Sequence, residues 1–362
     1  MRTPCFSKIE HKECSSIEGN IEPIMNETSF SPDQGFDQYS NPPEKLPAEI
    51  VSNRVLYVNQ DFPELPFQIQ ENESSKLGLL IMKTGEEKAP QLEVGEIHSR
   101  SALYGKVLFK DKQNRKYRDL DLKGVRCIRR DYFNTGRRYR VYIKPKLEAG
   151  YTEGILTLED AEHDMEISER FLDKGIRTHR VIAIIKLEEI LDNKGVKIPI
   201  AEAKQRGLLL EDDEPVIAVR AYGTKKRIEE ADPGAIKDAR ELVAAEENLK
   251  LQEFGNKEYF NWLLKTIAEQ VALIHKNGWY YEGPSPHNIT LDGRFTDFDS
   301  VGELENLDGK TRAKKIEVDL EDALYSLRIL SDKLGLTTQP GNLYYHNLKD
   351  RFMKVYDKVI QR

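Results

Sequence analysis

Cysteine is scarce in this chain, and so are tryptophan, long apolar runs and any marked excess of positive charge. Cys5, Cys14 and Cys127 are too few and too scattered for a disulfide framework or a cysteine-based zinc site, so a reducing compartment fits best. No stretch approaches the roughly 20 apolar residues of a membrane-spanning helix. The opening Met1-Arg2-Thr3-Pro4-Cys5 leads into Glu10, Lys12, Glu13 and Glu18 with no apolar core between them, so neither a secretory signal nor an arginine-rich transit peptide is visible. With 55 basic against 62 acidic residues the net charge is −7, so bulk electrostatics draw the chain neither to nucleic acid nor to an anionic membrane. We therefore expect a soluble, cytoplasmic protein with no membrane partner and no nucleic-acid partner.

What is present is size and pattern. The 362 residues suffice for two ordinary domains or one large bilobed one. Residues 1–46 are rich in Ser, Asn, Glu and Pro with apolar residues in no period, the composition of a disordered tail. From Leu46 to Tyr222 short β-like runs dominate, among them Lys106–Phe109, Arg180–Ile185 and Val216–Val219. One helix interrupts them, over about 158–174, with Thr157 as N-cap, Glu159 and Asp160 in the first turn and Gly175 as stop. Leu158, Ala161, Met165, Ser168 and Leu172 recur at helical spacing as its inner face, with Asp164 at the border. Beyond Gly223 the pattern turns helical over about 233–253, 257–276, 315–335 and 344–361. The second of these carries Phe260, Leu263, Leu264, Ile267, Val271 and Ile274 on one side and Asn277-Gly278 at its end. The class is α+β, a β-rich half followed by a helical half.

The segment from Pro286 to Asp299 concentrates the chemistry. Asn288 and Asp297, nine positions apart, bracket a short hairpin, and kinase-like enzymes hold Mg²⁺ with an Asn and an Asp of this kind. A hard cation takes oxygen ligands, here an amide carbonyl and a carboxylate, with ATP phosphates supplying others. The same residues also suit a plain polar hairpin turning at Asp292-Gly293.

Four ordered segments resemble the selenoprotein O (SelO) family of protein adenylyltransferases: Leu122-Lys123-Gly124, the stretch Gly154–Arg180, Arg220 to Arg227, and the Asn288/Asp297 hairpin. They span roughly residues 105–300. The resemblance implies a bilobed protein-kinase-like fold, with an N-lobe over 47–222 holding one helix and a helical C-lobe over 223–362. It implies ATP, bound in a flipped orientation, and Mg²⁺ or Mn²⁺ as cofactors, with AMP passing to a hydroxyl of a protein acceptor. It assigns Lys123 to the phosphates, Asp164 to the place of the acid that pairs with that lysine, Arg220 and Arg227 to the phosphate clamp, and Asn288 and Asp297 to the metal.

The chain also departs from that pattern. Where the family carries an acid just before the metal-binding Asn, the candidate base, this chain has His287, an imidazole able to accept a proton near neutral pH. Gly283 occupies the position, five before the Asn, where ordinary kinases place their catalytic Asp. No glycine-rich loop precedes Lys123, since Gly95 to Gly105 carries Glu96, His98, Arg100 and Tyr104 instead. Residues 126–147 read as an insertion in which Arg alternates with Tyr and Phe, a pattern that suits a single-stranded nucleic-acid surface and equally a solvated hairpin around Asn134-Thr135-Gly136, the favoured reading. The family's long C-terminal region, with its selenocysteine, has little counterpart.

Alternatives stand beside each assignment. Lys123 and Arg227 suit solvated positions, and Arg220, inside an apolar strand, suits a buried salt bridge. Glu166 or Glu169 could replace Asp164, while Asp299 and Glu282 are further acids near the loop. At the level of function, transfer of the γ-phosphate to a protein or small-molecule acceptor and a non-catalytic pseudokinase scaffold are the rivals to AMP transfer.

Overall fold

Short apolar-rich runs in the first half of the chain build one large antiparallel sheet and a small two-stranded one. The computed structural model describes residues 44–82, 89–94, 101–125, 155–191, 195–337 and 341–362. Its strands, in chain order, are β1 (Glu44–Ile50), β2 (Asn53–Val58), β3 (Leu79–Ile81), β4 (Gln91–Val94), β5 (Ser101–Lys110), β6 (Lys116–Lys123) and β7 (Leu156–Thr157). After helix α1 (Leu158–Asp173) come β8 (Arg180–Leu187), the small pair β9 (Glu189–Leu191) and β10 (Lys197–Pro199), the short helix α2 (Ile200–Gln205) and β11 (Pro215–Tyr222). The main sheet runs β2-β8-β11-β6-β5-β4-β1-β3, with β7 also on β11.

The strands that matter for function lie at its centre. Leu120 and Leu122 of β6 and Ile217, Val219 and Ala221 of β11 turn to one face, where they join a core with Val55, Leu92, Ala102 and Ile185. Residues of the opposite parity, Val216 and Ala218, meet α1 through Ala161 on the other face. The period of two along a strand thus sends Asp119, Asp121, Lys123, Arg220 and Tyr222 to the α1 side.

Helix α1 forms where its local signals place it. The Thr157 side chain accepts from the Asp160 N–H at 3.2 Å, and at the far end Gly175 N–H and Ile176 N–H donate to the carbonyls of Leu172 and Phe171, both at 3.0 Å. That double bond closes the last turn, with Gly175 at φ +79°. The buried side of the helix differs from the expected one. Asp164, Ile167 and Phe171 are buried beside Ala161 and Ser168, so Asp164 lies within the stripe and not at its border. Ile167 and Phe171 extend into the second core, which joins α1 to the helices that follow.

Those helices are α3 (Pro233–Glu246), α4 (Asn256–Lys276), α5 (Gly309–Lys333) and α6 (Gly341–Ile360), with the small ladder β12 (Trp279–Tyr280) and β13 (Gly302–Glu303) after α4. Asp232 caps α3 through the Ala235 N–H with Pro233 in the first turn, and Asp308 caps α5 through the Lys310 and Thr311 N–H groups. Two expected spans change. The helix read over 233–253 stops at Glu246, because Asn248 at φ +56° reverses the backbone and only a 3₁₀ turn, Leu251–Glu253, follows. The helix read from 315 begins six residues earlier, at its Asp308 cap. The mixed α+β class holds. Of the expected tail, residues 44–46 open β1 and 1–43 lie outside the described residues, as does the Arg/Tyr-rich segment 126–147. No helix among the described residues is long and apolar enough to cross a membrane.

Candidate functional site

Charged side chains on the α1 side of the sheet have no water to face, so they pair with one another. Strand register sets Arg220 of β11 opposite Asp121 of β6 and Ala218 opposite Lys123. Arg220 is 1% exposed and donates through Nε and Nη2 to Asp121 Oδ2, at 2.9 and 2.5 Å. The other oxygen, Oδ1, takes the ammonium of Lys225 from the segment that follows β11. Burial works to raise the Asp121 carboxyl, and the charges of Lys225 and Arg220 overcome it, holding the group well below the ordinary carboxylate range.

Asp164 serves the same cluster from α1. Its Oδ2 lies 3.1 Å from His179 Nε2 and 3.5 Å from Arg220 Nη1. Against the upward push of burial, His179, Lys123 and Arg220 keep Asp164 far below its usual value. His179 is itself stacked between Tyr222 and Phe298, with ring centroids 5.2 and 5.1 Å away. The expected Lys123–Asp164 ion pair is therefore replaced: the carboxylate is taken by His179 and Arg220, and Lys123 turns elsewhere. Glu169, the alternative partner, is committed to Arg180 at 2.5 Å.

Lys123 turns to Asp297. Its Nζ donates to Asp297 Oδ1 at 3.0 Å, while Arg227 Nη2 stands 3.7 Å from Oδ2. Two cations from the sheet side and from the segment after β11 thus meet one carboxylate that follows the hairpin. Burial opposes ionisation of Asp297, and Lys123, Arg227 and Arg220 outweigh it, so the group is held well below its ordinary value. The backbone at Asp297 is left-handed, φ +65°, a conformation kept by a non-glycine residue only where its surroundings enforce it. Thr296 supplies that enforcement. Its N–H donates to the Asn288 carbonyl at 3.1 Å, its carbonyl accepts from Tyr281 Oη, and its hydroxyl bonds Tyr222 Oη at 3.0 Å.

Two glycines permit the close approaches. A Cβ on Gly124, beside Lys123, would lie 2.5 Å from the Val216 carbonyl in a backbone already at φ +96°. At Gly223, where β11 ends, a Cβ would meet Asp292 Oδ2 at 1.9 Å and Arg294 Nη1 at 2.1 Å. The hairpin turning at Asp292-Gly293 therefore docks against the chain between the two halves. Arg294 reaches across to the Lys116 carbonyl at 2.9 Å and to Glu246 at 3.1 Å.

Asn288 and Asp297 come together through that hairpin: Ile289 bridges Phe295, and Asn288 faces Thr296, one residue before the carboxylate. The Asn288 amide has no hydrogen-bond partner among the described residues. A Cβ on Gly283 would sit 3.2 Å from its Nδ2, so a side chain at 283 would face this amide, and here glycine leaves the place without an acid. His287 is more than half exposed. Its Nδ1 is 2.8 Å from Glu229 Oε2, a bond that raises the imidazole above its ordinary value, and its carbonyl is gripped by Arg227 Nη1. Glu282, at φ +55°, is turned to Lys315, and Asp299 is exposed at the rim.

The arrangement thus joins Lys123, Arg227 and Asp297, places Asn288 beside them, and keeps Arg220 and Asp164 in the buried layer behind. Asp121, Lys225 and His179 were not anticipated. The alternation Asp119-Leu120-Asp121-Leu122-Lys123 was the available signal for Asp121, since it puts three charges on one face of a strand next to an arginine-bearing one.

Oxygen donors at Asn288 and Asp297 suit Mg²⁺, which takes carboxylate and carbonyl oxygens and fills the rest of its shell with water and substrate phosphate. No group of three or more His, Cys, Asp or Glu residues able to hold a metal ion is present among the described residues, so a bound phosphate would have to complete the shell.

No family model matches the chain, and no curated protein matches it. Among solved structures it is similar to a rhoptry antigen kinase domain of Toxoplasma gondii and to that organism's ROP2, described as a virulence factor with a protein-kinase fold and no enzymatic activity. Each shares 9% identity at a TM-score of 0.33, over 75% of this chain and 82% of the other.

Proposed function

We propose that the protein has a kinase-like fold and that the face shared by β6, β11 and the Asn288/Asp297 hairpin binds Mg²⁺-ATP and transfers AMP to a hydroxyl of a protein acceptor, as the resemblance to selenoprotein O implies. The observation that carries the reading is the convergence of Lys123 and Arg227, from separate segments, on the carboxylate of Asp297 beside the unpaired Asn288 amide. The element order supports it as well: Lys123 closes β6, helix α1 follows, then β8 and β11 on the same sheet, and then the helical half.

In this scheme Asn288 and Asp297 would hold Mg²⁺, which would neutralise phosphate charge there. Lys123 and Arg227 would bond the phosphate oxygens, an arginine offering paired donors and a lysine a compact charge. The acceptor oxygen bonds to the α-phosphorus as the bond to pyrophosphate breaks, and the hydroxyl proton moves to His287. With Nδ1 bonded to Glu229, Nε2 is the ring nitrogen that would accept it.

A scaffold reading draws on two observations. Arg220 is held by Asp121 and Asp164 instead of standing free for phosphate, and Gly283 offers no side chain beside Asn288. Incubation with ATP labelled at the α- or the γ-phosphate separates the possibilities. Adenylyl transfer leaves α-label alone on the acceptor and phosphotransfer leaves γ-label, whereas a scaffold binds Mg²⁺-ATP and transfers neither.

A further inference from the structure

The cation that the buried cluster can spare is Lys225, which no motif singled out. On this face Lys123, Arg220, Lys225 and Arg227 stand against Asp121, Asp164 and Asp297, and the nearby Asp119 is already committed to Arg118 at 2.8 Å and to the Lys225 backbone N–H at 2.8 Å. Asp121 alone therefore answers two of these four cations, Arg220 and Lys225. Arg220 cannot be the one released, because Asp121 holds it through two nitrogens and Asp164 stands at its third. Lys225 is attached by a single ion pair to Asp121 and a 3.3 Å bond to Ser101 Oγ, leaving over one of the three donors of its ammonium. Its side chain is 10% exposed, and it is carried on the same short segment as Arg227, two residues away.

We infer that Lys225 is a further phosphate-binding residue: on nucleotide binding its ammonium leaves Asp121, which keeps Arg220, and grips a phosphate oxygen alongside Lys123 and Arg227. Arg220 then acts as a strut and not as half of the clamp. This rests on the proposed nucleotide site, and it predicts a separation that a structural lysine would not produce. Removing Lys225 leaves Asp121 paired with Arg220, so the fold is kept while affinity falls.

The test compares wild type, Lys225→Met and Lys225→Arg by calorimetric titration with Mg²⁺-ATP and by thermal unfolding without ligand. Lys225→Met is expected to weaken binding by about ten- to a hundredfold, the loss of one charge-assisted bond, while still unfolding cooperatively at a lowered melting temperature, and Lys225→Arg to recover most of the affinity. Wild-type binding with undiminished affinity in Lys225→Met overturns the role of Lys225 and leaves the nucleotide reading standing, while absence of wild-type binding overturns both. Acetylation footprinting of the unmutated protein gives an independent readout: Mg²⁺-ATP should protect Lys225 severalfold, and equal modification with and without it contradicts the inference.

Discussion

Asp121→Asn is the substitution whose cost the structure defines most closely. The carboxylate binds two buried cations, Arg220 through Oδ2 at 2.9 and 2.5 Å and Lys225 through Oδ1, and it is fully buried. Asparagine keeps the volume and one carbonyl but removes the charge, leaving Arg220 to Asp164 at 3.5 Å and Lys225 to Ser101. Removing one partner of a buried ion pair typically costs about 3–5 kcal/mol, and with two cations stranded the upper part of that range is expected. Arg220→Met should cost less, about 1.5–3 kcal/mol, because Asp121 retains Lys225 and Asp164 retains His179. The double variant should lose clearly less than the sum, since once Asp121 is neutral the arginine has little left to lose. Urea unfolding followed by circular dichroism and by fluorescence measures all three. Asp121→Asn within about 1 kcal/mol of wild type, or losses that add within about 0.5 kcal/mol, would refute the view of this cluster as a coupled buried pair.

Two further outcomes follow from the same geometry. Asp121 and Asp164 have folded-state values below their unfolded ones, so their stabilisation is fully present above the ordinary carboxylate value of about 3.9 and is lost as pH falls below it toward the folded values. Urea midpoints should decline steadily below about pH 4, less steeply in Asp121→Asn. Gly223→Ala places a methyl 1.9 Å from Asp292 Oδ2, and since Arg294 is pinned to Lys116 and Glu246 neither side chain can yield freely. A loss of about 1–3 kcal/mol in unfolding free energy is expected, and an unchanged melting temperature would contradict the docking of the hairpin on β11.

Much of the fold was legible because its signals are local. The Thr157 cap and the Gly175 stop bound α1 within a residue, and the apolar side of α4 is the one its spacing announces. The end of α3 was not, because Leu249 and Leu251 continue a helical period past Asn248, whose left-handed backbone ends the helix with no glycine after it. The site divides in the same way. Lys123 and Asp297, 174 positions apart, were each named from their own short motif, yet their direct contact is visible only in three dimensions. Asp121 was missed because its importance lies in strand register with Arg220, 99 positions away. The role expected of Asp164 shifted because His179, just before β8, and Arg220 of β11 reach its carboxylate and leave Lys123 to Asp297.

The account stands on Asp297 as the centre of a metal-nucleotide site. Calorimetric titration of ATP into wild type and Asp297→Ala, each with and without Mg²⁺, tests it most directly. Saturable binding by the wild type that requires Mg²⁺ and disappears in a folded Asp297→Ala is the expected result. Binding that is absent from the wild type, or that survives unchanged without either the metal or the carboxylate, would contradict it.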